Sequence, residues 1–361
     1  MKPPAVDVII AVHSATRPIA RAVSSVLAHT AADVRVTVVA HNIDPEVIRA
    51  NLGEWAGHPS VRLLALADGI NSPAGPLNLG LAQSTAPFTT IMGSDDEFEP
   101  EAIDSWLKMQ RKTDAGFIIA RVYDEGRGNT AAPPVRLFRK RNLDPVKDRL
   151  SYRSAPLGLI SRTHFGDLRF TEGMASGEDL GFVTTIWFAG HPLAFDRNGP
   201  AYYGHLDEPD RVSFTPRPIA SDFAFLDEIL DQEWFEQLTL GPRRAICVKI
   251  LRTSVFDAML ARIGKATWTL GERAELGAAV GRIIGAAPGA EFLLSRIDRT
   301  VLESIVAGTT NEQSLLLMQQ RWNYRSLQAV VPRNLLLALH RQGPFRTLLA
   351  SIFVTRRASW L

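Results

Sequence analysis

The chain has 361 residues, 46% of them hydrophobic and 22% charged, with a formal charge of +2. This is ordinary globular composition with room for about two domains, and a near-neutral charge gives no general footing for nucleic acid. The single cysteine, Cys247, excludes an internal disulfide and a cysteine metal cluster, so a reducing, cytosolic setting is the simplest reading. No stretch approaches the roughly 18 apolar residues of a spanning helix, and the N-terminal apolar run is interrupted by Asp7 and too short for a signal core.

Val6 to Val12 reads as a buried strand, followed by a polar loop, His13 to Arg17. A helix is expected from Pro18 to His29, with Ile19, Val23, Val26 and Leu27 on its inner side. Val34 to Ala40 is a second strand that closes in His41-Asn42-Ile43-Asp44-Pro45. Glu46 to Trp55 is the next helix and Val61 to Leu66 the next strand. That alternation is the βαβ pattern of a parallel sheet. Asp68 to Ala82 is a loop punctuated by Gly and Pro that runs into a helix near Pro76, a seat for anionic oxygens at a helix N-terminus. It lacks the Gly-Lys-Ser/Thr ending of a Walker loop.

Phe88 to Met92 forms a strand that Gly93 and Ser94 break, and Pro100 starts a helix carrying Ile103 and Leu107 on one face. Asp95 and Asp96 therefore stand at the carboxyl end of a strand, where open α/β sheets bind ligands. Adjacent carboxylates repel unless a cation or several donors compensate them. A hard divalent ion that also carries phosphate oxygens does so with only one or two protein carboxylates. Taken alone, the pair also fits a solvated acidic turn.

Gly116 to Tyr123 and Val135 to Phe138 are two further expected strands, and Leu157 to Ser161 is a short apolar run. Within Phe170 to Gly190, Glu178 and Asp179 open an amphipathic helix, a place where the helix dipole also favours acids. Ala201 to Phe214 is expected to be a polar loop. From Ser221 onward helical periodicity replaces strand signals, giving two regions, 1–220 and 221–361. From Gln313 to the end there is no Asp or Glu, while Arg321, Arg325, Arg333, Arg341, Arg346, Arg356 and Arg357 accumulate. The apolar runs Leu335 to Leu339 and Phe345 to Val354 suit the headgroup layer of an anionic membrane, a second subunit in a homo-oligomer, or the preceding helices.

Five pieces in order, V-D-V-I-I-A-V-H, P-A-G-P-L-N-L-G-L-A, G-S-D-D-E-F-E-P-E-A-I, G-E-D-L-G-F and Y-Y-G-H-L-D-E-P-D-R-V-S, resemble glycosyltransferase family 2 of the GT-A type over roughly residues 6–215. The resemblance implies a Rossmann-like nucleotide-diphospho-sugar transferase domain, followed here by an all-helical C-terminal region. It implies an inverting transfer of a sugar from a nucleotide-diphosphate donor, a UDP-sugar, to a hydroxyl of a glycan or lipid-linked glycan of the cell envelope. By the same resemblance Asp96 and His205 would hold Mn²⁺ or Mg²⁺, Asp179 would be the catalytic base, and Glu178 would orient base or acceptor. The donor side would comprise His13, Asn42, Asp44, Asp68, Asn78, Asp95, Arg211 and Ser213. Where relatives end the second strand in adjacent acids, this chain offers His41, Asn42 or Asp44 for the nucleobase, and Leu77 replaces a basic residue before Asn78. Two other classes share the plan, a nucleotide-binding protein without turnover and a metal-dependent nucleotidyltransferase. The first has no need of both acid pairs, and the second would show a richer Gly and Lys/Arg signature than His13-Ser14-Ala15-Thr16-Arg17. The expected location is the cytoplasm, at the inner face of the membrane if the C-terminal helices meet lipid.

Overall fold

The computed structural model describes residues 3–205, 217–265, 268–307 and 309–356. Strands Val6–Val12 (β1), Val34–His41 (β2), Val61–Leu66 (β3) and Phe88–Gly93 (β4) run parallel in the order β3-β2-β1-β4. They are rich in Val and Ile because helices cover both faces. On one side Val8, Ile10, Val36 and Val38 meet helices Ile19–Leu27 (α1) and Pro45–Leu52 (α2) through Val23, Val26, Ile48 and Leu52. On the other, Ile9 and Ile91 meet helix Ala74–Ala82 (α3) through Ala74 and Leu77. The approach is close at Gly80, where a Cβ would lie 2.4 Å from Ile9 Cγ2. Helix Ala102–Thr113 (α4) returns to the first face through Ile103 and Trp106.

The sheet continues through Glu97–Phe98 (β5), Phe117–Asp124 (β6), Gly128–Asn129 (β7), Gly158–Ser161 (β8) and Leu193–Gly204 (β9). The nine strands run β3-β2-β1-β4-β8-β6-β9-β5, with β7 on the side of β6. β8 is antiparallel to β4 and β6, and β5 is antiparallel to β9, so a parallel nucleotide-sized half joins a mixed half. Helices Arg162–Phe165 (α5) and Glu178–Phe188 (α6) follow β8. The start of the sheet is pinned by Asp7, which is fully buried. It accepts bonds from Arg35 Nε at 2.6 Å and Nη2 at 2.9 Å, and from the N–H groups of Thr85 at 2.7 Å and Ala86 at 2.8 Å.

Two expectations are corrected. Val135 to Phe138 is not a strand. Pro133 and Pro134 before it offer no ladder N–H, and Arg136 gives its backbone N–H and its guanidinium to buried Asp148 at 3.1 and 2.7 Å. Residues Ala201 to Gly204 are not loop but the end of β9. The register against β6 jumps from Ala120–Asp196 to Arg121–Ala201, so a bulge lets one strand run past the mixed half and reach β5. Residues 206–214 of that expected loop lie outside the described residues.

Every described element beyond residue 217 is helical. A core of Phe223, Leu226, Ile229, Ile246, Ile250, Val255, Leu276 and Val301 holds these helices together. Helix α6 belongs to both halves, since Phe182, Ile186 and Trp187 face the sheet core while Leu180 and Phe188 pack against the helical core. The helix Pro344–Thr355 turns back onto the α/β domain, where Val354 is buried and the Arg197 guanidinium lies 3.8 Å from the Phe353 ring centre. Its other face, with Leu349 and Ile352, and the preceding Leu335, Leu336 and Leu339 are exposed. Among the described residues no helix is long and apolar enough to cross a membrane.

Candidate active site

Three groups of side chains gather off the carboxyl edge of the parallel strands. The first is at the end of β2. His41 is buried and its Nε2 lies 2.9 Å from Asp68 Oδ1. Asn42 has a left-handed backbone (φ 54°), which an asparagine side chain tolerates by bonding locally. Its amide donates to Ile70 O at 3.1 Å and its oxygen accepts Gly69 N–H at 2.9 Å. The Ile70 N–H and then His41 hold the Asp68 carboxyl below the ordinary range. These contacts shape a polar shelf between β2 and the loop after β3. Asp44 caps α2, accepting the Glu46 N–H at 2.9 Å. Asn78 is buried in a latch, donating to Phe170 O and Glu172 Oε1 and accepting Phe170 N–H, so it ties α3 to the segment before α6.

The second group is at the end of β4. The Asp95 carboxylate is ion-paired with Arg17, and Arg21 donates to the Asp95 carbonyl. Asp96 Oδ2 accepts the Tyr202 hydroxyl at 2.6 Å, and that same hydroxyl accepts the Gly93 N–H at 2.9 Å. Asp96 Oδ1 accepts the His205 backbone N–H at 3.2 Å. Gly93 has to be small, because a Cβ would lie 2.5 Å from Asp96 Oδ2. Burial and the neighbouring Asp96 push the Tyr202 hydroxyl well above its usual pKa, so it stays a donor to Asp96. The His205 ring reaches Glu97 at 3.2 Å and Glu125 at 3.3 Å. The His205 backbone thus lies beside Asp96 while its ring turns to Glu97 and Glu125, and Arg211 and Ser213 lie outside the described residues.

The third group lines a cavity of about 580 Å³ between the sheet edge and the helical region, walled by His13, His41, Ser72, Glu178, Asp179 and Arg217 and, from the helical side, by Lys249, Thr253 and Asp257. Parallel pairing of Ala11 with Gly93 sends His13, which walls this cavity, and Asp95 off the same edge of the sheet. Glu178 and Asp179 open α6 behind Gly177, whose backbone is left-handed (φ 80°). Burial raises the Glu178 pKa, with Arg217 opposing. Burial, and then the Glu178 charge, push Asp179 up to about 7, with Lys249 opposing. A carboxylate at that value exchanges a proton readily near neutral pH.

Sequence reasoning passed over Arg17, Tyr202 and Lys249. Tyr202 carried a signal, standing in the Y-Y-G-H piece that already looked functional, whereas Arg17 stood in the polar loop after β1. Lys249 carried none, because helical periodicity assigns no role to one lysine.

Among the described residues no three His, Cys, Asp or Glu side chains converge as a metal cage. Residues 7–169 match the family model described as Glycosyl transferase family 2. No curated protein matches the sequence. Among solved structures, Staphylococcus aureus TarS 1-349 in complex with UDP-GlcNAc is similar at a TM-score of 0.70 and 16% identity, covering 87% of this chain and 90% of that one. The same protein in complex with UDP gives a TM-score of 0.67 at 17% identity, covering 89% and 93%. At such identity the likeness speaks for the fold, and it runs through the helical region as well as the sheet. Residues 7–169 thus form a glycosyl transferase family 2 region, set in a GT-A fold that a helical C-terminal part completes.

Proposed function

We propose that this protein is an inverting, metal-dependent hexosyltransferase that moves a sugar from a UDP-sugar to a hydroxyl of a glycan or envelope-polymer acceptor. The observation that carries this reading is Asp179, a carboxyl held at about 7 in the wall of a cavity at the same sheet edge as a paired-aspartate strand end. In the reaction the acceptor oxygen bonds to the anomeric carbon as the bond from that carbon to the diphosphate oxygen breaks. The acceptor proton passes to Asp179, and the electron pair leaves with the nucleoside diphosphate. A single displacement of this kind inverts the anomeric centre.

The Asp96 edge fits a hard divalent cation. It presents one carboxylate oriented by Tyr202 and His205, the few protein ligands that Mg²⁺ accepts when phosphate oxygens and water complete its shell. When bound, Mn²⁺ or Mg²⁺ supplies charge neutralisation for the departing diphosphate. His41, Asn42 and Asp68 are the polar shelf available to the nucleoside, and UDP as the carrier is supported by the UDP and UDP-GlcNAc complexes of the similar structures.

An acceptor carried on lipid would place the reaction at the inner face of a membrane, with Leu335, Leu336 and Leu339 beside Arg341 and Arg346 meeting the headgroups. The test is a thermal-shift and turnover screen of nucleotide-sugars with and without Mn²⁺. A stabilisation of about 2.7 kcal/mol at a hundred times Kd, together with metal-dependent release of UDP, is expected. Absence of both with every nucleotide-sugar would overturn the proposal. Binding without turnover would make this a nucleotide-binding protein.

A further inference from the structure

Lys249 is buried to 5% exposure at the end of helix Leu240–Ile250, yet it walls the same cavity as Asp179. No hydrogen bond or ion pair engages its ammonium among the described residues, although a buried charge is costly unless something compensates it. Two other basic side chains around the cavity have partners. Arg217 lies 3.5 Å from Asp222, and His41 is bound to Asp68.

The helix following Lys249 explains how the compensating carboxylates converge. In a continuous α-helix Asp257, eight residues on, would point about 80° away from Lys249. The segment Leu251–Val255 is a π-helical turn, and such a turn absorbs about one extra residue of rotation. It brings Thr253, Ser254 and Asp257 round to the cavity wall that Lys249 faces.

Resting on the proposed transfer reaction, we infer that Lys249 is a positioning residue supplied by the helical region: it provides the counter-charge to the Asp179 carboxylate across the shared cavity, and Asp257 provides its own. The groups facing Asp179 are Glu178 on α6, His13 and His41 from the sheet edge, Arg217 ahead of helix Ile219–Asp222, and Lys249 and Asp257. Burial lowers Lys249 to about 8 while Asp179 and Asp257 draw it back up. Between about 7 and about 8 the base is therefore ionised and the ammonium still charged. Below that window Asp179 takes up its proton, and above it Lys249 loses its charge.

The test compares Lys249→Met and Lys249→Arg with wild type, because Met retains the buried volume without the charge and Arg retains the charge. The Asp179 carboxyl is titrated directly by ¹³Cγ-aspartate NMR, its signal identified by its loss in Asp179→Asn. In Lys249→Met its midpoint should rise by about one unit or more, as removal of a nearby opposite charge requires. The acid limb of the kcat/KM profile should move alkaline with it, and Lys249→Arg should restore both. A wild-type midpoint in Lys249→Met would overturn the inference. The NMR titration needs no turnover, so a wild-type protein that transfers no sugar defeats the functional reading and leaves this result standing on its own.

Discussion

Replacing Asp179 with asparagine should slow the protein and stabilise it at once. The folded carboxyl titrates at about 7 against the 3.8 of an ordinary aspartate, so ionising it inside the cavity is unfavourable. A shift of one unit is worth about 1.4 kcal/mol, so the full difference would reach about 4 kcal/mol in a dry site. The Asp179 side chain is part-open to the cavity, and water there screens it, which brings the expected figure to about 2 kcal/mol. The sign follows from linkage. A carboxyl whose folded pKa is raised stabilises the fold relative to its ionised form at low pH, and that contribution is lost as pH rises from about 4 through about 7. Asp179→Asn cannot lose it. The variant should match wild type in thermal unfolding at pH 4, subject to both being folded there, and at pH 8 it should melt a few degrees higher, at roughly 2 °C per kcal/mol for a chain of this size. Its transfer rate should fall by about 10² to 10⁴ with donor affinity unchanged. Calorimetric melting across pH and a UDP-release assay measure both. A lower melting point at pH 8, or a rate within a few-fold of wild type, would refute the reasoning.

Asp96→Asn should abolish Mn²⁺-dependent donor binding in calorimetric titration and leave the melting curve nearly unchanged; turnover that survives in excess EDTA would remove the metal assignment. Tyr202→Phe leaves Asp96 Oδ2 and the Gly93 N–H without their shared partner. It should cost about 1–3 kcal/mol of stability and raise the Mn²⁺ concentration needed for half-maximal rate. Asp7→Ala strips the partner from Arg35 and from two backbone N–H groups and should cost about 3–5 kcal/mol in urea unfolding, with kcat per folded molecule unchanged. Co-sedimentation with anionic liposomes should be salt-sensitive for the full chain and lost in one ending at Val331, whereas dimer formation without lipid binding would assign the exposed leucines to a second subunit.

The parallel half was legible because each strand there is a largely apolar run ended by polar or glycine residues, so period and punctuation agree. The acid pairs stood out because each is a doublet at an element end, Asp95-Asp96 after the apolar run of β4 and Glu178-Asp179 at the first turn of α6, although the helix dipole favours acids at the second place in any case. The mixed half was harder to read. β9 contains Asp196, Arg197, Asn198, Gly199 and Pro200 in its middle, the composition of a turn, and only the bulge against β6 shows that the chain continues as strand. Val135 to Phe138 had strand-like residues, but the N–H and guanidinium of Arg136 are engaged by Asp148, a partner beyond the reach of any local pattern. Lys249 failed for a further reason. Its meaning depends on a π-helical turn that shifts helical phase, and a periodicity search assumes that phase is constant.

The division of labour between the two halves follows from where the family match ends. It stops at residue 169, so it contains the polar shelf of His41, Asn42 and Asp68 and the Asp95-Asp96 turn, but neither Glu178-Asp179 nor Lys249. A nucleoside diphosphate is much the same in every donor of its class, and the groups that hold it gain from rigid strand ends. The acceptor differs from enzyme to enzyme, so the surface that receives it has to vary. In the proposed reaction helix α6 reconciles these demands because one face is locked to the sheet core by Phe182, Ile186 and Trp187, which fixes Asp179 relative to the sheet. Its other face takes Leu180 and Phe188 into the helical core, so the opposite wall of the cavity can be rebuilt without moving Asp179. On this account a swap of the helical region between related enzymes should change acceptor choice while leaving donor choice intact, provided that the residue at position 249 remains cationic.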